Sequence, residues 1–411
     1  MLGRKYFLFV ILLGTATISL TGAIQRAGAF VASRDHPAIA YSTAPVNDAA
    51  ALLNRKLADG SAKLSFDPAS GYLRSLLDAF DLQVESQVLV YSQTSFQARK
   101  INRKKPRAIY FNDRVSVGWV RGGDILEISA QDATQGTIYY TLAQTPDAAP
   151  RLSRSHNCLS CHLSWDTLGV PGPLVLTTMP RRSDSEYANG GFVDHATPLA
   201  ERWSGWFVTG TKVPKGQLGN LELLQPNMPP SGPQPVPVKK SVEGEFDFGG
   251  YPTPFSDVVA LMLLDHQAHA TNLITRAGWE YRQAAHEMGA EAAAGSPRVR
   301  EAVDALANYF LFADEAPLAS PIRGSSGFAE AFQAAGPRDS KGRSLHELDL
   351  NTRMLRYACS YMIYSPGFDG LPQPVKVAVY RRFTDALAQT NPATLEILRD
   401  TKRDFGAKTD R

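Results

Sequence analysis

The chain has 411 residues, 44% hydrophobic and 20% charged, a balance that excludes a disordered or fibrous protein and leaves room for two or three packed units. Its 43 basic and 40 acidic residues give a formal charge of only +3, too even a total to recommend a nucleic-acid partner. Three cysteines are an odd count, so a disulfide framework does not organise the fold.

At the N-terminus, Met-Leu-Gly-Arg-Lys precedes an uncharged run from Tyr6 to Leu20, the short basic region and apolar core of a secretory signal. Thr21 and Ala23, or Ala27 and Ala29, fit the small residues of a cleavage site, and no cysteine stands there to carry a lipid. Residues 1–29 are therefore read as a signal peptide or, if uncleaved, as an anchor through residues 6–24, close to the ~20 residues that span a bilayer. Either reading makes the protein exported, periplasmic in a bacterium, and only the second brings it into contact with a membrane.

Residues 30–150 read as an α+β region. Asp48–Ala58 and Tyr72–Phe80 carry apolar residues three and four apart and are expected to be short helices. Leu82–Tyr91 alternates, and Arg107–Phe111, Arg114–Val120, Ile125–Ala130 and Thr137–Leu142 are separated by turn-forming residues, which predicts an antiparallel meander. Between the first two runs lies Arg99-Lys-Ile-Asn-Arg-Lys-Lys-Pro-Arg107, with six basic residues in nine. It reads as a solvated loop or as the docking site of an acidic redox partner.

Residues 151–240 contain Cys158-Leu-Ser-Cys161-His162. C-x-x-C-H is the pattern of c-type haem attachment. Two thiols three apart on a helical turn reach the two vinyl groups of one porphyrin edge, and the next histidine supplies the proximal iron ligand. A zinc site would need two further close ligands, and a thioredoxin-like pair does not need the histidine. The segment resembles the c-type cytochromes, and beyond the motif Gly172-Pro173-Leu174 looks like the Gly-Pro-x-Leu that follows it in small cytochromes c. The resemblance implies one haem c per chain and a hydrogen bond from the proximal His162 to the carbonyl of Pro173; a plain Pro-Gly-Pro turn is the alternative. It covers about residues 154–230. Cys359 stands alone and reads as a buried core thiol.

The distal ligand is open among several residues. Met228 and Met179 each precede a proline, as the distal methionine of small cytochromes c does, although Met228 lies in the Pro-rich stretch 225–238. His266 and His269 share the stripe Val259, Met262, His266, His269, Leu273 of an expected helix, and read as imidazoles lying against a haem or as satisfied core histidines. His195 sits in a loop beside Asp194, where it reads as a ligand, a distal acid/base group or a solvated side chain. His156 reads as solvated. Trp203 and Trp206 are expected to pack a haem wall or core.

Residues 241–411 read as mainly helical: Ser256–Met288, Pro297–Phe312, Gly327–Ala335, Leu350–Ile363, Pro374–Ala388 and Ala393–Asp404. Asp265 and His269 are spaced for a shared metal face but lack matching carboxylates. No G-x-G-x-x-G at a strand end, Walker loop, G-x-S-x-G or H-E-x-x-H occurs. The fold expected is α+β: an N-terminal antiparallel meander with short helices, a cytochrome c-like haem segment and a helical C-terminal region. The function expected is electron transfer through the haem; the alternatives are a peroxidase- or oxidase-like monohaem enzyme with an open distal site, and a haem-based sensor or binding module.

Overall fold

The computed structural model describes residues 33–178, 190–221, 236 and 238–406. The expected leader, Met179 and Met228 lie outside them. Asp48 caps helix α1 (Ala49–Ala58) by accepting from the N–H groups of Ala50 and Ala51, and Tyr140 donates to its other oxygen at 2.7 Å. Helix α2 (Leu73–Ala79) follows. Leu82–Tyr91 then divides into a 3-10 turn at Val84–Ser86 and a short strand, β1 (Val88–Val90).

The alternating runs form β2 (Arg107–Phe111), β3 (Val115–Val120), β4 (Ile125–Asp132) and β5 (Gly136–Ala143), each antiparallel to the next. Strand β6 (Ser153–Arg154) pairs with β5, and after helix α3 (Leu159–His162) come the paired β7 (Leu176–Thr177) and β8 (Gly191–Phe192). Strand β9 (Trp206–Phe207) pairs with β1. The main sheet thus has seven strands in the order β6-β5-β4-β3-β2-β1-β9. Residues 151–240 supply both of its edge strands, and the only α-helix of that segment among the described residues has four residues.

Register gives the sheet two unlike faces. Leu89, Ala108, Val117, Ile128 and Tyr140 lie on one, buried in a core shared with Leu53 of α1 and Leu73 and Leu76 of α2. Val88, Ile109, Gly118, Glu127 and Thr141 share the other. Its β1 and β9 end is covered, since Val88, Val90 and Trp206 join the core of the C-terminal helices. Its middle stays half-buried at Arg107, Ile109, Ser116, Glu127, Ser129 and Thr141.

The C-terminal region is mainly helical. Helix α4 (Val258–Met288) is capped by Asp257, which accepts from Val259 and Ala260 while its other oxygen accepts from Ser325 and Ser326. Packed around it are α5 (Ala290–Ala294), α6 (Pro297–Phe310), α7 (Phe328–Ala335), α8 (Pro366–Asp369), α9 (Gln373–Thr390) and α10 (Pro392–Thr401). The helix expected at Leu350–Ile363 is not formed. Asp349 accepts from the N–H groups of Asn351 and Thr352, Leu348 bridges to Leu355, and Leu350 takes a left-handed φ of 56°, so side-chain hydrogen bonds turn the chain back. Only Tyr361–Tyr364 winds into a 3-10 turn.

Candidate haem-attachment site

The chain leaves β6 with the Ser155 N–H bonded to the carbonyl of Tyr139 at 2.8 Å, then tightens through a 3-10 turn at His156–Cys158 into α3. Leu159 is the buried anchor of this turn. Cys158 is half-buried, Cys161 is exposed, and both thiols are free. Burial raises the pKa of the Cys158 thiol, against a hydrogen bond from Ser155.

His162 lies half-buried against Tyr139 of β5, ring centroids 4.7 Å apart. Its Nδ1 is 2.9 Å from the carbonyl oxygen of Gly172. A carbonyl only accepts, so Nδ1 carries the hydrogen, and in the neutral ring Nε2 keeps the lone pair. Burial lowers the pKa of His162 and the Gly172 carbonyl raises it, with smaller effects from Arg107 downwards and Glu127 upwards. Among the described residues Nε2 has no hydrogen-bond partner. A neutral imidazole whose second nitrogen is held by a carbonyl is the form that ligates a metal, so the donor set fits a c-type haem: two free thiols three residues apart and one oriented histidine nitrogen. Beside it, Tyr139 Oη is buried with no hydrogen-bond partner.

The carbonyl expected to orient His162 was that of Pro173. The structure places the bond one residue earlier, on Gly172, while the Pro173 carbonyl accepts from Asn272 Nδ2 of α4 at 3.0 Å. Gly172 is required sterically, since a Cβ there would stand 1.8 Å from Asn272 Oδ1.

The chain matches no family model, no curated protein and no solved structure. Any functional reading therefore rests on the motif and its surroundings.

His195 and His266 come together, but not with His162. Their Nδ1 atoms are 2.7 Å apart, and His266 Nε2 is 2.7 Å from Ser360 Oγ, so both nitrogens of His266 are engaged inside the helical core. The His195 ring stacks on Tyr309 at 3.9 Å, and Tyr309 Oη donates to the His266 carbonyl. Two nitrogens at that separation can share one proton, so both rings cannot be doubly protonated; burial pushes His266 down to about 3 and His195 lower still. Nearby, Asp265 accepts from Trp203 Nε1 at 2.9 Å and faces Arg202 at 3.4 Å, and burial raises it to about 7 despite these partners.

Helix geometry explains the separation. Leu264, Gln267, Ala268 and Thr271 line a cleft with Pro173, Ser116 and Ser129. At about 100° per residue, His266 and His269 fall on the opposite side of α4, where His269 meets Phe192 and Tyr309. Among the described residues no group of three His, Cys, Asp or Glu could hold a metal ion. Met179 and Met228 lie outside the described residues. Cys359 is fully buried, His156 is exposed at the edge of Tyr41, and Trp203 and Trp206 are buried.

The basic segment is partly spoken for. Lys100 pairs with Asp124, Arg103 with Glu245 and Arg107 with Glu127, and Lys104 Nζ donates to the Glu245 carbonyl. Arg99, Lys104 and Lys105 are exposed. Sequence reasoning missed Tyr139, Asn272, Ser360 and the Arg107–Glu127 pair; only the last had a local signal, the alternation that puts Arg107 and Glu127 on the polar side of their strands.

Proposed function

We propose that this chain carries one covalent haem c, linked through Cys158 and Cys161 with His162 as axial ligand, and passes single electrons to or from a partner protein outside the cytoplasm. The observation that carries the reading is the state of His162: Nδ1–H held by Gly172, and Nε2 without a hydrogen-bond partner among the described residues. Bound there, the haem supplies a one-electron couple at its iron. The chain's own part is positional. Leu159 fixes the turn, Gly172 sets the tautomer, and Asn272 ties the following residue to α4. Cys161 is exposed, so the attachment edge lies where a partner can approach, and Arg99 and Lys105 are exposed cations of the basic segment that make no ion pair among the described residues and are available to an acidic one. The resemblance to cytochromes c is one of motif, and export rests on the N-terminal leader.

A second reading, a haem enzyme or sensor with an open iron position, draws support from the engagement of both His266 nitrogens on the far side of α4.

The test is expression with the c-type maturation system. We expect a mass increase of one haem, a haem stain that survives a denaturing gel, and a one-electron potentiometric titration. Cys161→Ala should lose one thioether and Cys158→Ala/Cys161→Ala all covalent haem. A matured wild-type chain without covalent haem sinks the proposal.

A further inference from the structure

The attachment turn is held at both ends by one residue of the sheet. Tyr139, in the middle of β5, accepts at its carbonyl from the Ser155 N–H at 2.8 Å, three residues before Cys158. Its side chain meets His162 at the far end of the turn. The first contact belongs to the backbone and survives any substitution of the side chain, whereas the second is the ring alone. Pairing with Ser129 of β4 fixes the strand beneath, and Tyr139 is buried in one core with Leu159 of the turn and Val170, two residues before Gly172.

His162 needs such a wall. Its torsion about Cβ–Cγ joins an sp3 to an sp2 carbon and is soft, so the imidazole swings unless something outside the residue stops it. The hydrogen bond from Nδ1 to the Gly172 carbonyl, 2.9 Å long, pins one point of the ring and leaves it free to pivot about that contact. Tyr139 supplies the second constraint, with ring centroids 4.7 Å apart and planes inclined by 35°. Among the described residues it is the only aromatic ring set against His162. An aromatic pair at this spacing favours one relative orientation roughly two- to tenfold. The phenol hydroxyl takes no part in the contact, since Oη is buried with no hydrogen-bond partner among the described residues.

Resting on the haem reading above, we infer that Tyr139 is the positioning residue that fixes the plane of the axial imidazole. Its ring holds His162 against rotation while the Gly172 carbonyl holds Nδ1, and the hydroxyl is dispensable.

Tyr139→Phe and Tyr139→Leu separate ring from hydroxyl. Both keep the backbone bond to Ser155, so both should mature with covalent haem, measured by mass, and keep the wild-type far-UV dichroism. In the ferric, haem-loaded full chain the electron paramagnetic resonance g values report the orientation of the axial imidazole; cyanide is added to all three proteins if the resting iron is high-spin. Tyr139→Leu should broaden or split the highest g signal, because orientations that the ring suppressed two- to tenfold become populated. It should also raise the reduction potential, because the bond to Gly172 weakens as the imidazole swings. Tyr139→Phe should leave both at the wild-type values. A leucine variant that loses only urea resistance, with g values and potential unchanged, overturns the inference, since the contact is then structural. So does a phenylalanine variant that moves as far as the leucine one, since the hydroxyl is then the acting group. Tyr139→Met, whose flexible side chain fills the space without a ring, takes the place of the leucine variant if that one does not mature. Absence of covalent haem from the wild type is a separate failure, that of the haem reading itself, and is seen before any spectrum is compared.

Discussion

His162 and the His195–His266 pair are imidazoles in opposite hydrogen-bonding states. His162 sits half-buried on a turn at a sheet edge with one nitrogen held and the other unclaimed, whereas His266 is fully buried with both nitrogens satisfied. A buried polar group without partners costs about 1–3 kcal/mol, which is why His266 is held by hydrogen bonds at both nitrogens; a vacancy alone does not mark a ligand, since Nδ1 of His269 and of His346 is also buried without a partner among the described residues. Burial alone does not separate the two cases, because it lowers the pKa of all three rings.

The largest effect expected from this contrast is a double dissociation. His266→Ala should cost about 3 kcal/mol in urea unfolding, from the cavity and from leaving Ser360 and His195 unpaired, with the haem spectrum intact. His162→Ala should cost about 1 kcal/mol and abolish the axial ligation proposed for it while the thioethers remain. Loss of the Soret spectrum in the His266 variant, with His162→Ala silent, would reverse the assignments.

Acid should sharpen the same contrast. His266 is held near 3 in the fold against a usual 6.5, so its contribution is full above pH 6.5 and is lost as pH falls towards 3; His195 adds in the same direction. Asp265, raised from 3.8 to about 7, acts oppositely, its contribution being full below 3.8 and lost as pH rises through 7. Two rings against one acid give a net loss of a few kcal/mol between pH 7 and 4, visible as a falling urea midpoint. His266→Phe should flatten that slope. An unchanged slope would place the acid sensitivity elsewhere.

Much of the molecule was legible locally. Arg107–Phe111 begins and ends as its alternation indicated, Asp48 and Asp257 cap the helices they precede, and α4 keeps Val259, Met262, His266 and Leu273 on one buried face. What the stripe did not contain was its partner. His195 is 71 residues away in sequence and Ser360 94, and only tertiary packing decides that this face meets α6 and the 360 turn while the other meets Pro173. At Leu350–Ile363 apolar spacing suggested a helix, but Asp349 and Ser360 offer the backbone nearer acceptors. The Cys-x-x-Cys-His pattern could be read directly because its residues are adjacent in sequence; that it attaches a haem is the proposal made above. Its orienting carbonyl could not, because a one-residue offset in a Pro-Gly-Pro turn changes which oxygen meets Nδ1.

That offset yields the smallest and most local prediction. Gly172 has no left-handed φ, so its need is steric: a Cβ would stand 1.8 Å from Asn272 Oδ1, and Asn272 is fully buried in mid-helix and tied to Pro173. Gly172→Ala must therefore move the turn rather than the helix, and with it the carbonyl that holds His162 Nδ1. A weaker hydrogen bond leaves the imidazole a poorer electron donor, so the ferric state is less stabilised and the reduction potential rises. Haem content should not change, because the cysteines lie ten and more residues away in the chain. Asn272→Ala removes the obstacle at the cost of about 1 kcal/mol for the lost bond to Pro173, and in the double variant the potential should return towards the wild-type value. If Gly172→Ala alone leaves the potential where it was, His162 takes its orientation from another group, and the contrast between a held and an unclaimed nitrogen loses its physical basis.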